Sequence, residues 1–257
     1  MIGDSATGAM TGESRSYGPS CDSGQRVTRW TYHEPLPCRP VGREEIRVQL
    51  YSFPGAPSPM RVELMLNYKG VSVPTEIVDI RQAAQFTAAY RRINPRCTVP
   101  ALVLDDGSCL SEVIAICLYL ESRFPDMPVF GTSDSERAHV VNWMHRIFNE
   151  GFLPAAELLR NTSEAFRNRA LPGPDDIEQI PALAERGRRR LAVFFQSIDS
   201  ALAEREFLVG DQLSQADIDA WVAIYFARWT KTSPSDEMTR LAGWRQRVAE
   251  LTGQAAG

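Results

Sequence analysis

Histidine is scarce in this chain, with three residues in 257, at positions 33, 139 and 145. His139 and His145 stand six residues apart, on different faces of any helix that carries both, so the sequence holds no ligand cluster for a metal ion. Long apolar runs are missing as well: none approaches the roughly 18 residues that a membrane span needs. The opening MIGDSATGAMTGESRSYG has neither a basic start nor an apolar segment, which argues against a secretory signal. Cysteine occurs at five positions, 21, 38, 97, 109 and 117, an odd number without close pairing. That usage points to free thiols in a reducing compartment, and so to a cytoplasmic protein. No basic stripe dominates: 28 Lys and Arg are interspersed with 32 Asp and Glu, for a formal charge of −4. A nucleic-acid partner is disfavoured accordingly. The one dense basic group, Arg186 to Arg190, reads as the solvated face of a helix.

What is present is apolar content of 44%, enough to bury one large core or two ordinary ones. Residues 1–46 are rich in Gly, Ser, Thr and Pro and carry no periodicity. They read as a disordered or loosely docked extension, with Trp30 to Tyr32 as the piece that would dock. From Arg47 the texture changes. RVQLYSF has the alternation of a strand, PGAPSP breaks it, and Met60 to Tyr68 places Val62, Met65 and Leu66 on one helical face. EIVDI, Glu76 to Ile80, predicts a second strand, which makes a βαβ unit with a right-handed crossover. Residues 82–92 read as a helix that stops at Asn94-Pro95. ALVLD is a buried strand, Asp106-Gly107 a hairpin turn, and SCLS the returning antiparallel strand. Glu112 to Arg123 is a helix apolar almost all round, and therefore buried.

After the Pro-rich linker FPDMPVFG the pattern is helical throughout. Ser135 to Asn149 carries Val140, Trp143, Met144 and Ile147 at helical spacing. Ala184 to Arg205 has a core stripe at Leu191, Phe194, Phe195, Ile198 and Leu202. Ser214 to Trp229 and Leu241 to Leu251 complete the set. The reading is two domains, a small α/β unit over 47–124 and an all-helical unit over 133–251.

Three features converge on a family. The order βαβ–α–ββα, with Val99-Pro100 directly before the third strand, is similar to a thioredoxin-like domain, where that proline is cis. FLVGDQLSQADIDAWVA sets Ser214 three residues before Asp217 as an N-capping pair. NPRCTVPAL…LSEVIAICLYLESRFP resembles a glutathione-binding half-domain. Together, over about Arg47 to Leu251, the chain resembles the cytosolic glutathione S-transferase superfamily, of bacterial type, with some likeness of LYSFPGAPSP to the β-etherase branch. The implied fold is a thioredoxin-like α/β domain followed by an all-α domain, in a homodimer.

The resemblance implies glutathione as co-substrate and a set of site residues. The Val99 backbone, presented by Pro100, would pair with the cysteinyl part of glutathione like a strand. Glu112 would take the ammonium of the γ-glutamyl end, and the N–H of Val113 its carboxylate, in keeping with the anion preference of helix N-termini. Val113 stands where the family has Ser, at an expected loss of about 1 kcal/mol for one hydrogen bond. Thr98 stands where Lys or Gln often approaches the glycyl carboxylate, and Cys97 where glycine is usual; Cys97 reads as a loop filler, with a thiol beside the ligand as the alternative. Cys109 and Cys117 read as core residues. The family's hydroxyl or thiol positions after the first strand fall on Phe53, Ala56 and Pro57, none of which carries one. Ser58 is the expected donor to the glutathione sulfur, with Ser52 second and simple helix capping by Ser58 as the rival role. Trp143, Arg146, Asn149 and Tyr225, or Trp229, are the candidates for a second-substrate pocket between the domains.

The expected activity is attack of glutathione thiolate on a small hydrophobic electrophile. Aryl-ether cleavage or disulfide reduction needs the same thiolate and stays open. A non-catalytic transferase-like binding module is the reading from another class, prompted by Ala56 and Val113.

Overall fold

In β1 (Gln49–Ser52), successive side chains point to opposite faces of the sheet. Leu50 and Ser52 are buried on one face, where the Ser52 hydroxyl donates to Glu63 of α1 (Pro57–Lys69) at 2.7 Å. Tyr51 projects to the other and meets Tyr90 of α2 (Ala88–Ile93) edge-on, with ring centroids 5.9 Å apart. β2 (Thr75–Ile77) pairs with β1 in parallel, β3 (Ala101–Val103) antiparallel with Leu50 opposite Leu102, and β4 (Cys109–Leu110) closes the order β2-β1-β3-β4. Gly107, at φ 82°, makes the β3–β4 turn, and the Asp106 carboxylate accepts from the Ser108 N–H at 2.8 Å and its hydroxyl at 2.6 Å. The computed structural model describes residues 48–254. The extension expected over 1–46, its docking piece at Trp30 to Tyr32, and Cys21, Cys38 and His33 lie outside the described residues.

Two boundaries differ from expectation for local reasons. The strand expected to run to Ile80 ends at Ile77, because the Asp79 carboxylate accepts from the Arg81 N–H (3.0 Å) and Gln82 (2.8 Å) and turns the backbone into a 3₁₀ turn. The helix expected over 82–92 is a second 3₁₀ turn, Ala84–Phe86, followed by six-residue α2, which starts late because the Thr87 hydroxyl accepts from the Tyr90 N–H at 3.2 Å.

α3 (Val113–Arg123) packs beside α1, and the helical unit follows: α4 (Asp134–Ile147), a π-helical turn (Phe148–Phe152), α5 (Leu153–Arg160), α6 (Pro181–Ala201), α7 (Gln215–Ala227) and α8 (Thr239–Leu251). The predicted stripe of Leu191, Phe194, Phe195, Ile198 and Leu202 is fully buried, with each such side chain worth about 1.5–3 kcal/mol of burial. Gly187 lets α5 and α6 touch, since a Cβ there would stand 2.6 Å from the Pro154 carbonyl oxygen. The arginine run around it is more than a solvated face. Arg186 and Arg190 reach Glu157 on α5 at 2.5 and 3.6 Å, while Arg188 and Arg189 hold Glu185 at 2.5 and 3.0 Å. Two of those arginines therefore clip one helix to the next.

The two units are joined at a buried polar seam. The Arg61 guanidinium on α1 makes a bidentate pair with Asp219 on α7, and Gln215 donates to Asp219 at 2.9 Å and to the Arg61 carbonyl at 3.3 Å. Lys69, at the other end of α1, donates to the carbonyls of Phe124, Asp126 and Met127 at 2.9–3.0 Å and pairs with Glu121 at 2.7 Å, which fixes the linker. A four-stranded thioredoxin-like sheet with its helices, followed by an all-α unit, is the observed fold.

Candidate functional site

The Val99–Pro100 peptide is cis. Ahead of it, the loop from Asn94 is held rigid by its own polar groups. Buried Asn94 donates to the Thr98 carbonyl at 2.8 Å and hydroxyl at 3.1 Å, and accepts from the Arg96 N–H at 3.1 Å. The Tyr90 hydroxyl donates to the same Thr98 carbonyl at 2.6 Å, and burial pushes the Tyr90 pKa up to about 12, so it stays a donor. Cys97 is buried with its thiol 3.5 Å from the Pro95 carbonyl and takes φ 55°, the left-handed region that glycine enters without strain. With Thr98 clamped and Pro100 lacking an N–H, half-buried Val99 presents an N–H and a C=O that no described backbone group pairs with. That is an open, strand-like edge one residue long, just ahead of β3.

Arg96 of this loop links it to the mouth of α3. Glu112 is its N-cap residue in extended conformation, and its side chain caps nothing. The carboxylate is 65% exposed and lies 3.6 Å from Arg96, itself 70% exposed. An ion pair so open to solvent is worth little and leaves the carboxylate available to another cation. The first-turn N–H groups of Val113, Ile114 and Ala115 have no described backbone partner, as the start of any helix requires. Val113 turns its side chain into the core, so the first-turn anion site consists of N–H groups alone.

The start of α1 narrows the question of the thiol's partner. The helix begins at Pro57, not at Pro59, with Ala56 as N-cap, so Ser58 lies inside the first turn and does not cap it. Pro57 and Pro59 have no N–H, and the Met60 N–H is spent on the Ala56 carbonyl at 3.0 Å. Ser58 is left as the residue that brings donors to this helix mouth, and its half-buried hydroxyl carries no hydrogen bond to a described residue. Ser52, the second expectation, is corrected: its hydroxyl is 1% exposed and committed to Glu63, whose carboxyl is pushed up by burial and eased back by that bond.

The expected second-substrate residues fall on two surfaces. Arg146 stacks on Trp143 at 4.3 Å, pairs with Glu150 at 3.2 Å and donates to Ser197 of α6 at 3.3 Å. Asn149 donates to the His145 carbonyl at 3.1 Å, and its own carbonyl accepts from Arg190. Of these, the Arg146 side chain and the Asn149 main chain meet α6. Tyr225 instead joins a row on α7, stacked on Trp221 at 5.8 Å and edge-on to Trp229 at 6.4 Å. Trp229 also meets Phe226 at 5.5 Å, Phe226 stacks on Phe152 at 6.5 Å, and Arg61 lies over the Phe152 ring at 4.8 Å. This apolar row runs from α1 to half-exposed Trp229, and Phe152 and Phe226 are its members that sequence reasoning missed. The π-helical turn aims Phe152 inward, because Pro154 cannot donate to the carbonyl four residues back and the preceding turn opens. Asn94, Tyr90 and Arg96 were missed as well; Asn94-Pro95 had been legible only as a helix stop.

The capping pair is buried and richly bonded. Asp217 accepts from the Ser214 N–H (3.0 Å) and hydroxyl (2.6 Å), the Leu208 N–H (2.9 Å) and Trp244 Nε1 (2.9 Å). Burial raises its pKa, and these four bonds hold it back. Cys109 is half-buried and Cys117 fully buried, both with thiol pKa raised by burial. Among the described residues no group of three His, Cys, Asp or Glu could hold a metal ion, and no helix is long and apolar enough to cross a membrane.

Comparison with known proteins follows the same two-part plan. The family model described as "Glutathione S-transferase, N-terminal domain" matches residues 56–123, and "Glutathione S-transferase, C-terminal domain" matches 160–251. A glutathione S-transferase domain-containing protein of Marinobacter aquaeolei VT8 is 30% identical, with TM-score 0.71 over 78% of this chain and 97% of its own. Glutathione S-transferase GstA of Escherichia coli O157:H7 is 27% identical over 79% of this chain and 93% of its own. The β-etherase LigF of Sphingobium sp. strain SYK-6, 20% identical with TM-score 0.66 over 81% of this chain and 96% of its own, shares the fold. With both family domains matched in order, and a relative at 30% identity nearly covered from end to end, the chain belongs to the glutathione transferase family.

Proposed function

We propose that the protein binds glutathione along the Val99 edge and uses its thiolate to attack a small hydrophobic electrophile, working in the cytoplasm as a homodimer. The observation that carries this reading is a set of open polar groups on neighbouring segments: the unpaired N–H and C=O of Val99, and Glu112 with the bare first turn of α3, linked by Arg96 of the Val99 loop standing 3.6 Å from Glu112. A peptide-like ligand satisfies both at once, its cysteinyl part on Val99, its ammonium on Glu112, its α-carboxylate on the N–H groups of Val113 and its neighbours. Thr98, still with a hydroxyl proton to donate, and Pro100 complete the surface. Ser58 donates to the sulfur and stabilises the thiolate, whose proton passes to solvent. For an aryl halide, a sulfur–carbon bond forms and the halide leaves with its bonding pair. The electrophile lies toward Tyr225, Phe226 and Trp229; Trp143 and Arg146 on α4 and Asn149 in the following π-helical turn belong to the other surface.

Calorimetry with millimolar glutathione, followed by a product assay, tests the reading. Heat of binding and turnover of a chloronitrobenzene are expected. Turnover of a model aryl ether or of hydroxyethyl disulfide in its place reassigns the reaction, and no heat together with no retention on immobilised glutathione ends the proposal.

A further inference from the structure

The connection between α5 and α6, residues 161–180, is long and yet fastened throughout by its own hydrogen bonds. Gln179 donates to the carbonyls of Arg160 (2.6 Å) and Ser163 (2.8 Å), the Ile180 N–H donates to buried Asn161 (2.8 Å), and Arg169 and Ile177 form a parallel bridge. This connection leans on the α/β unit. The Arg169 guanidinium lies over the Phe86 ring at 4.2 Å, and the position of a Cβ on Gly173 would be 3.9 Å from the Arg96 carbonyl oxygen. Phe86 belongs to the 3₁₀ turn Ala84–Phe86 that leads into α2, and Arg96 is the residue beside Glu112. The connection therefore covers the rim of the open edge described above.

At this seam two guanidiniums are brought together without a counter-charge. Arg160 donates from Nη1 to the Arg169 carbonyl at 2.8 Å, and Arg169 from Nη2 to the Gly173 carbonyl at 2.9 Å. Arg160 stacks on Phe166 at 4.6 Å. Neither makes an ion pair with a described carboxylate, whereas the arginines of α6 all do. Burial first, then the nearby Arg169, lower the Arg160 pKa to about 10. A guanidinium has five N–H donors, and here the carbonyls take one from each. Arg169 Nε is buried with no partner, and so is Oε1 of Gln85, the residue next to Phe86. Two like charges and an orphaned donor in one half-buried seam carry a desolvation cost that a structural clip alone does not require. An anion relieves it, and a planar carboxylate matches the fork.

We propose that the seam between the 161–180 connection and the 84–97 segment is a carboxylate-binding site in which Arg160 and Arg169 take the anion. The carboxylate has two possible sources, the glycyl end of glutathione or an acidic second substrate. The first rests on the proposed function and accounts for uncharged Thr98: the cation missing from position 98 arrives from the helical unit.

The test compares glutathione with its glycyl monoethyl ester, by calorimetry, on the wild-type chain and on Arg169→Gln. A glycyl source predicts that the wild type binds the ester on the order of tenfold more weakly, and that Arg169→Gln binds both equally. Arg169→Lys, which keeps charge but loses the fork, should fall between. An acidic-substrate source predicts equal binding of glutathione and ester, with KM for 4-chloro-3-nitrobenzoate raised about tenfold in Arg169→Gln and KM for the uncharged dinitro analogue unchanged. If the wild type binds no glutathione, the proposed function fails on its own, and the site is read by thermal shift with glutarate at fixed ionic strength. Stabilisation of the wild type but not of Arg169→Gln sustains it. Absence of discrimination in every arm makes the pair a loop clip and overturns the proposal.

Discussion

The seam between α1 and α7 and the open edge at Val99 use the same kinds of polar group to opposite ends. At the seam, Arg61, Asp219 and Gln215 are all buried and engage one another, with Gln215 Oε1 the one acceptor there left without a partner; nearby on α7, Asp217 accepts four hydrogen bonds. At the edge, Val99 and Ser58 are half-buried with donors and acceptors that no described residue satisfies, and Glu112 has only a solvent-exposed pair with Arg96. A buried polar group without partners costs several kcal/mol, so the seam had to close. Exposed groups bear no such cost, and those at the edge stay free for a ligand. Polar satisfaction thus separates what holds this fold from what it offers to chemistry.

The sharpest way to break the comparison is Asp219→Ala. It leaves the Arg61 guanidinium buried and unpaired, with an expected loss of about 3–5 kcal/mol in urea unfolding; a loss under about 1 kcal/mol would mean that the seam is not the closed network described. Ser58→Ala comes next. Because Ser58 caps nothing, the unfolding midpoint should hold while kcat falls about a hundredfold and the thiol pKa of bound glutathione rises, read from thiolate absorbance. An unchanged rate would favour the non-catalytic binding module. Glu112→Gln keeps the shape and removes the charge. Calorimetry should show glutathione about tenfold weaker with no change in stability, and equal affinity would show that the ammonium binds elsewhere.

The smallest effect belongs to Glu63. Burial raises its folded pKa above the unfolded value, so its protonated form is the one folding favours. Stability is then full below the unfolded pKa and declines as pH rises through the folded one. Glu63→Gln preserves an acceptor for Ser52 and should flatten that decline as pH rises above the ordinary carboxylate range. A slope matching the wild type would place the titration at another group.

Much of this was legible residue by residue. The Asp106-Gly107 turn, the Leu191 to Leu202 stripe and the Ser214/Asp217 cap depend on partners within a few positions, where backbone preference and side-chain period act directly. The α2 region was misread because Asp79 and Thr87 compete with the backbone through side-chain bonds that periodicity does not weigh. Ser52 looked like a free hydroxyl until its Glu63 partner on α1 appeared. Arg146 and Tyr225 looked like one pocket until their helices turned them to different surfaces.

By itself, then, the order of amino acids determined the α/β-then-helical plan, the family and the presence of Val99-Pro100 and Glu112 at strand and helix starts, while α5 and the turns at 80–86 went unread. Local sterics, turn chemistry and apolar period suffice for those. The tertiary structure alone decided which polar groups are spent and which are free: Arg61 finds Asp219 158 residues away, Arg169 crosses to Phe86, and Ser58 finds nothing. Desolvation is a property of the packed molecule, and no stretch of chain carries it in advance.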